Sequence, residues 1–374
     1  MDQATASAPS SAAPAAGGPA GPARRGGGLA GDLLILALVG VLLAAAIWAG
    51  FSALHRQFWG PSAFVERYIG MLGEGDAAGA LAVPGVALDT ADLEAAGLPA
   101  TSSDALLRTA ALTFDIRDVE IVSERDVDGV VEVTAAYTVD GTTGQSTFRV
   151  EEIGTEGLVP RWGFETSPLA ELRVGVRGSM QFAVNGFELD KRQVSPEGSE
   201  ADPKEPVSLL VFSPGIYSVA VDTATAEAEP THVLADVALH STALDVQTQP
   251  TPAFVEVVGD KVSAFLSACA EQQVLQPTGC PFGIDTHAVG GDRVLADSIA
   301  WTIRSQPPVA VVPSDAYWAI SASTGTAHFD ADVVSLFDGS VYHVSEDVPF
   351  VIDGTVDVLP DGTASILIGS PTLR

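Results

Sequence analysis

Residues 33–54 read LLILALVGVLLAAAIWAGFSAL, a run of 22 residues without a charged side chain. At about 1.5 Å rise per residue this makes roughly 33 Å of helix. A bilayer's hydrocarbon layer is roughly 30 Å thick, so one crossing is the expectation, over residues 31–55 with the lipid bilayer as partner through Leu33–Leu54. Arg24 and Arg25 precede the run, and Phe51, Phe58 and Trp59 stand near its far end, where aromatic rings favour the headgroup zone. The basic pair sets an orientation: a cytoplasmic N-terminus and extracytoplasmic C-terminal domains, with Arg56 on the other flank pulling against it. A cleaved signal peptide is the competing reading. Cutting after Ala44-Ala45-Ala46, however, leaves Ile47-Trp48-Ala49-Gly50-Phe51 as an apolar overhang.

Residues 1–30 are built from Ala, Pro, Ser and Gly with no large apolar residue before Leu29. Such a segment cannot bury enough surface to offset its ordering entropy, and a disordered tail is expected. The charges before Leu33 (Asp2, Arg24, Arg25 and Asp32) cancel, so the whole deficit of −30 belongs to the chain from Leu33 onward. That acidity repels phosphate backbones and excludes nucleic acid as a partner. Lysine occurs only at 191, 204 and 261, and Asn185 is the one asparagine, a bias typical of a high-GC bacterial genome. The two cysteines, Cys269 and Cys280, suit a disulfide in an oxidising compartment. The closed loop is short, and the bridge is worth about 2–3 kcal/mol on the chain-entropy estimate. A zinc site would have to recruit His287 and a further ligand, and this cysteine spacing is not a usual metal spacing.

From Pro61 the apolar residues Phe64, Val65, Tyr68, Ile69 and Leu72 recur at helical spacing, with Ser62 placed as a cap. Short helices are expected at Asp76–Leu81 and Ser103–Leu112. The period then becomes two, giving strands around Phe114–Ile121, Val131–Tyr137, Phe148–Val150 and Leu158–Phe164, with turns at Asp128-Gly129 and Asp140-Gly141. Helices followed by a meander ending in Gly157-Leu158-Val159-Pro160-Arg161-Trp162 resemble cystatin-like or NTF2-like units over residues 61–166. A second segment, 168–248, is read as all-β. Its Val184-Asn185-Gly186 turn and later Pro214-Gly215-Ile216-Tyr217-Ser218-Val219 resemble PEGA-type β-sandwich modules, a likeness that implies a binding or spacer role. After Pro250-Thr251-Pro252, Ala253-Phe254-Val255-Glu256 repeats Ala63-Phe64-Val65-Glu66, and a helix-then-strands order follows again. The segment 253–374 is therefore expected to be a second α+β unit, with Phe254 and Phe64 equivalent and turns at Asp338-Gly339, Asp353-Gly354 and Asp361-Gly362. The fold class expected is α+β: a transmembrane helix, then two such units flanking a small all-β sandwich.

No catalytic motif stands out. The sequence holds no G-x-S-x-G elbow, phosphate loop or dinucleotide fingerprint. Asp126-x-Asp128-Gly129 lacks the oxygen ligands of a calcium loop and reads as a turn. The six histidines (His55, His232, His240, His287, His328, His343) show no ligand spacing, and His328 reads as a strand residue. Tyr68, Asp115 and Tyr137 are the only set that could line a cone-shaped pocket of catalytic type. The reading is a non-enzymatic, membrane-anchored binding or structural protein of the cell envelope, without cofactor or metal, its partner an envelope protein or the cell wall. An enzyme with a pocket in an NTF2-like cone is the first alternative and an envelope sensor the second.

Overall fold

The structure, a computed structural model, describes residues 29–157, 159–285, 287, 289–315, 317–358 and 364–369, the side chains of 29–32 and 49–57 excepted. The expected disordered tail up to residue 28, with Arg24 and Arg25, and the turn at Asp361-Gly362 lie outside the described residues. The chain divides into two compact units, Met1–Gln57 and Phe58–Arg374.

In the first unit, helix α1 (Leu29–Trp59) carries the apolar run. Its described side chains there, residues 33–48, are all exposed. Among the described residues no helix is long and apolar enough to cross a membrane. This corrects the expected transmembrane segment over 31–55. The single-pass cell-membrane location, with its cytoplasmic N-terminus and extracytoplasmic C-terminal domains, loses its support with it.

The second unit opens with α2 (Pro61–Gly73), started by a proline in its first turn after Gly60. Ser62 does not cap it; its hydroxyl donates to Glu124 instead. The face Phe64, Val65, Tyr68, Ile69, Leu72 is buried. Helices α3 (Ala77–Ala82) and α4 (Thr90–Ala95) follow, the second held by a reciprocal Asp89–Asp92 capping box. No helix forms over Ser103–Leu112 beyond a 3-10 turn at Thr109–Ala111. The cause is tertiary: Ser103 N donates to Ser208 O at 2.9 Å and Leu210 N to Ser103 O at 2.8 Å, which holds the chain extended.

Strands β1 (Ile116–Val127), β2 (Val130–Val139), β3 (Thr142–Glu156) and β4 (Val159–Phe164) form an antiparallel meander in that order. Its first two turns place Asp128 and Gly129 at φ 56° and 89°, and Asp140 and Gly141 at 46° and 83°, the left-handed geometry that Asp-Gly supplies.

Two facing sheets come next. Strands β5 (Leu169–Arg177), β8 (Val207–Phe212) and β11 (Ser241–Gln247) make one, ordered β11-β5-β8. Strands β6 (Gln181–Val184), β7 (Phe187–Asp190), β9 (Gly215–Asp222), β10 (Ala226–Ala235) and β12 (Gln249–Pro250) make the other, ordered β12-β10-β9-β6-β7. A four-residue helix, α5 (Lys191–Val194), leaves β7. Asn185 occupies the β6–β7 turn at φ 51°. Its Nδ2 donates to Ala111 O and Ile216 O, both at 3.0 Å, stitching the first segment to the sandwich.

The last segment starts with α6 (Pro252–Ala270), capped by the Thr251 hydroxyl, with Phe254, Val258, Val262, Leu266 and Cys269 buried. Phe254 is thus an inner-face residue of its helix as Phe64 is of α2. Cys269 and Cys280 are joined, with their Cα atoms 5.8 Å apart. The sheet comprises β13 (Arg293–Val294), β14 (Ala300–Ser305), β15 (Val311–Ser314), β16 (Tyr317–Val334), β17 (Val341–Val358) and β18 (Ala364–Gly369). β16 pairs with β13, β14 and β15 on one side and β17 on the other, and β18 pairs with β17.

Strand outweighs helix, 46% to 24%, which corrects the α+β class to a β-rich sandwich. The physical reason is a core shared by all segments. One cluster of buried apolar residues runs from Phe64 to Val356. The Phe114 and Tyr217 rings meet at 5.8 Å, and the Tyr68 hydroxyl donates to Ser213 O at 3.2 Å. Strand faces supply most of this core, and α2 and α6 close its flanks.

A second, smaller cluster of Leu93, Leu98 and Leu210 covers the outer face of β8. Close by, Glu171 sits across from Leu210 in the pairing of β5 with β8, 2% exposed. Its Oε1 has no hydrogen-bond partner among the described residues. A buried, unpaired polar atom costs about 1–3 kcal/mol. Glu171→Leu is therefore expected to stabilise the protein by about that amount, read as a higher urea midpoint with unchanged slope. A lower midpoint would show that the carboxylate is well paired.

Candidate functional site

The longest feature of the chain is the hairpin of β16 and β17, each 18 residues. Its sequence alternates cleanly. Ala327, Phe329, Ala331 and Val333 are buried, so their neighbours His328, Asp330 and Asp332 fall on the opposite, solvent-facing side. Cross-strand register then pairs His328 with Asp347, Asp330 with Ser345 and Asp332 with His343. Directly opposed side chains on one face lie within reach of each other, and the result is a polar ladder.

His328 Nδ1 stands 2.5 Å from Asp347 Oδ1, while its Nε2 stands 3.2 Å from Asp330 Oδ2 and 3.1 Å from Ser345 Oγ. Arg304 of β14 reaches both, with Nη2 3.0 Å from His328 Nε2 and Nε 3.3 Å from Asp347 Oδ1. His343 stands between Asp332 and Asp330, at 3.0 Å and 3.2 Å. The hydrogen bonds to Asp332 and then Asp330 hold the His343 imidazolium above its ordinary range. Asp330 is pushed up by desolvation, but Ser345, His343 and the charge of His328 outweigh this and hold it below the usual carboxylate range.

At the end of this ladder, residues 335–340 form the tip. Ser335 N donates to Ser340 O at 2.8 Å and Gly339 N to Ser335 O at 3.0 Å. Asp338 Oδ1 accepts from Ser340 N and Oγ at 3.0 and 2.7 Å, bonds that hold the Asp338 carboxyl below the usual carboxylate range. From β13's flank, Asp292 Oδ1 accepts from Leu336 N at 2.9 Å and Oδ2 from the Tyr342 hydroxyl at 2.9 Å. This well-bonded turn presents two large apolar side chains to solvent: Leu336, 70% exposed, and Phe337, 98% exposed.

The set Tyr68, Asp115 and Tyr137 does not assemble. The Tyr68 hydroxyl is spent on Ser213 O and the Tyr137 hydroxyl on Ser146 Oγ at 2.6 Å. The Asp115 carboxylate, half exposed, pairs with Arg117. Burial pushes the Tyr137 hydroxyl up to about 12, which suits a structural donor. Asp126 accepts from Gly129 N at 3.2 Å as a turn residue. His232, His240 and His287 are exposed and scattered, and the side chain of His55 lies outside the described residues. Among the described residues no cluster of histidine, cysteine or carboxylate is placed to hold a metal ion.

One further group went unassigned from sequence. Lys191 borders an open cleft of about 270 Å³ against Val194, Ser195, Asp202 and Glu205. Its ammonium donates to Val176 O at 2.8 Å, Pro203 O at 2.6 Å and Glu205 O at 3.1 Å. An ammonium has three donors, so none is left for a ligand. The lysine is spent on the fold. The ladder and the tip, by contrast, keep free surface. No family model, curated protein or solved structure matches this chain.

Proposed function

We propose that this chain is a non-enzymatic binding protein that engages a partner protein through the tip of the β16–β17 hairpin. The observation that carries this is Phe337, 98% exposed on a turn braced by Asp292 and Asp338. Leaving a phenylalanine in water forgoes about 1.5–3 kcal/mol of burial, and large aromatic side chains are the usual anchors of protein interfaces. Asp292 and Asp338 beside it, on a chain of net charge −30, select a partner with an apolar pocket rimmed by basic side chains. The likeness of residues 168–248 to PEGA-type binding or spacer modules supports the same reading.

The test places the photo-crosslinking residue p-benzoylphenylalanine at position 337, with Val237, 54% exposed, as the control site. A discrete adduct is expected at 337, absent at 237 and abolished by adding Leu336→Asp. No adduct at 337, or the same adduct at both sites, would overturn the reading. Because Phe337 makes so little contact, Phe337→Asp is expected to change stability by less than about 0.5 kcal/mol. A larger drop in the melting transition would mean that the ring packs on the fold.

A further inference from the structure

The hairpin also carries a titratable group next to its tip. His343 Nδ1 faces Asp332 Oδ1 at 3.0 Å, and Nε2 faces Asp330 Oδ1 at 3.2 Å. Carboxylate oxygens only accept, so both contacts are hydrogen bonds when the ring carries two N–H groups. A neutral imidazole has one N–H. Its other nitrogen then turns a lone pair toward a carboxylate.

We propose that His343 is a proton-operated clamp: protonated, it ties β17 to β16 through Asp332 and Asp330 and holds the tip in its binding shape, and deprotonated, it releases that end of the hairpin. This rests on the tip being the binding element.

The groups around His343 make the release effective. On β16 it faces Asp330 and Asp332, with His328 one pair further along. On β17 its same-face neighbours are Ser345 and Asp347. Arg304 of β14 is engaged with His328 and Asp347, and Arg293 of β13 lies opposite Val334 on the same face. From the other side the sheet meets α6 through the rings of Trp318 and Phe254, an apolar contact. When His343 is neutral, Asp330 and Asp332 therefore keep their like charges with no cation between them. The bonds from Tyr342 and Leu336 to Asp292 tie the tip to the flank of β13 in either state of His343.

The sign follows from linkage. A histidine held above its ordinary value by carboxylates contributes stability that is complete below the unfolded value, about 6.5. That contribution is lost as pH rises through the raised folded value. The clamp is closed on the acid side and open on the alkaline side.

The experiment is hydrogen exchange of the full chain, followed by mass spectrometry from pH 5.5 to 9 and corrected for intrinsic rates. Peptides covering 335–347 are expected to lose protection by about two- to fivefold as the pH rises, the scale of a solvent-exposed ion pair. In His343→Gln the same peptides should stay weakly protected at every pH, and His328→Gln should keep the wild-type profile. A flat wild-type profile would overturn the clamp, as would a His343→Gln variant that follows wild type, or a response lost in His328→Gln alone. Cross-linking from position 337 separates the two ideas. If exchange responds to pH while no adduct forms, the binding reading fails and the clamp stands. If the adduct forms and exchange is flat, the clamp fails alone.

Discussion

Trp318→Ala is expected to lower the stability of the unit Phe58–Arg374 by about 3–5 kcal/mol, the cost of emptying a large core site. Trp318 is 1% exposed, and its ring meets Phe254 of α6 at 6.2 Å. It also touches the sandwich: a Cβ added to Gly178 would stand 3.2 Å from the Trp318 ring. The indole therefore fills the junction where β5's end, α6 and the last sheet come together. Because the core is continuous from Phe64 to Val356, calorimetry should show one transition, shifted down by roughly 10 °C, and not the loss of one of two. Two resolved transitions, with only one displaced, would mean that the C-terminal sheet melts by itself. Gly178→Ala attacks the same junction from the other side, since Gly178 has φ +89° and its added Cβ would stand 2.3 Å from Thr248 Oγ1.

That junction also shows where the sequence could be read and where it could not. Phe64 and Phe254 announce themselves by helical spacing and by the repeated Ala-Phe-Val-Glu. Asp128-Gly129, Asp140-Gly141 and Asp338-Gly339 are turns because Asp-Gly tolerates positive φ. The same logic misplaces Asp353-Gly354, which lies inside β17 and pairs with Gly369 and Ile368. Gly354 is small because a Cβ there would stand 2.5 Å from Leu367 O. Gly325 is the parallel case inside β16: a Cβ would meet the Phe350 ring at 2.5 Å. Glycines inside long strands are close-approach sites, so the strands expected from the alternation at 316–321 and 326–336 merge into β16, and those expected at 341–344 and 355–359 merge into β17. The ladder is hidden for a related reason. His328, Asp330 and Asp332 show an alternation, but nothing local pairs them with Asp347, Ser345 and His343; that depends on register across the tip. The membrane span was read from the composition of residues 33–54 alone, and among the described residues no helix is long and apolar enough to cross a membrane. Lys191 stands out in the sequence only as one of three lysines, and its role depends on carbonyls that lie 12 to 15 residues away.

Lys191→Met is expected to cost about 3 kcal/mol, because it keeps the apolar stem and removes every donor from three carbonyls. Val176 O belongs to β5, whereas Pro203 O and Glu205 O belong to the polar loop 195–206, so the ammonium fastens that loop to the sandwich. Burial pushes its pKa down to about 8, against the upward pull of Asp202 and Glu205. The folded value therefore lies below the ordinary 10.5, and between the two the unfolded chain binds more protons than the folded one. Stability from this group rises with pH across that window. Below about pH 8 the fold bears the cost of burying a charge, and above it that cost fades. Urea unfolding of wild type and Lys191→Met at pH 7, 8.5 and 10 reads both effects. The variant should be weaker throughout, and its deficit should widen as the pH climbs from 8.5 to 10. A deficit that shrinks over that interval would mean that the carbonyls hold the charged form more strongly than burial opposes it. A variant as stable as wild type at pH 7 would mean that the loop is fastened by its prolines and Asp202 turn without the lysine.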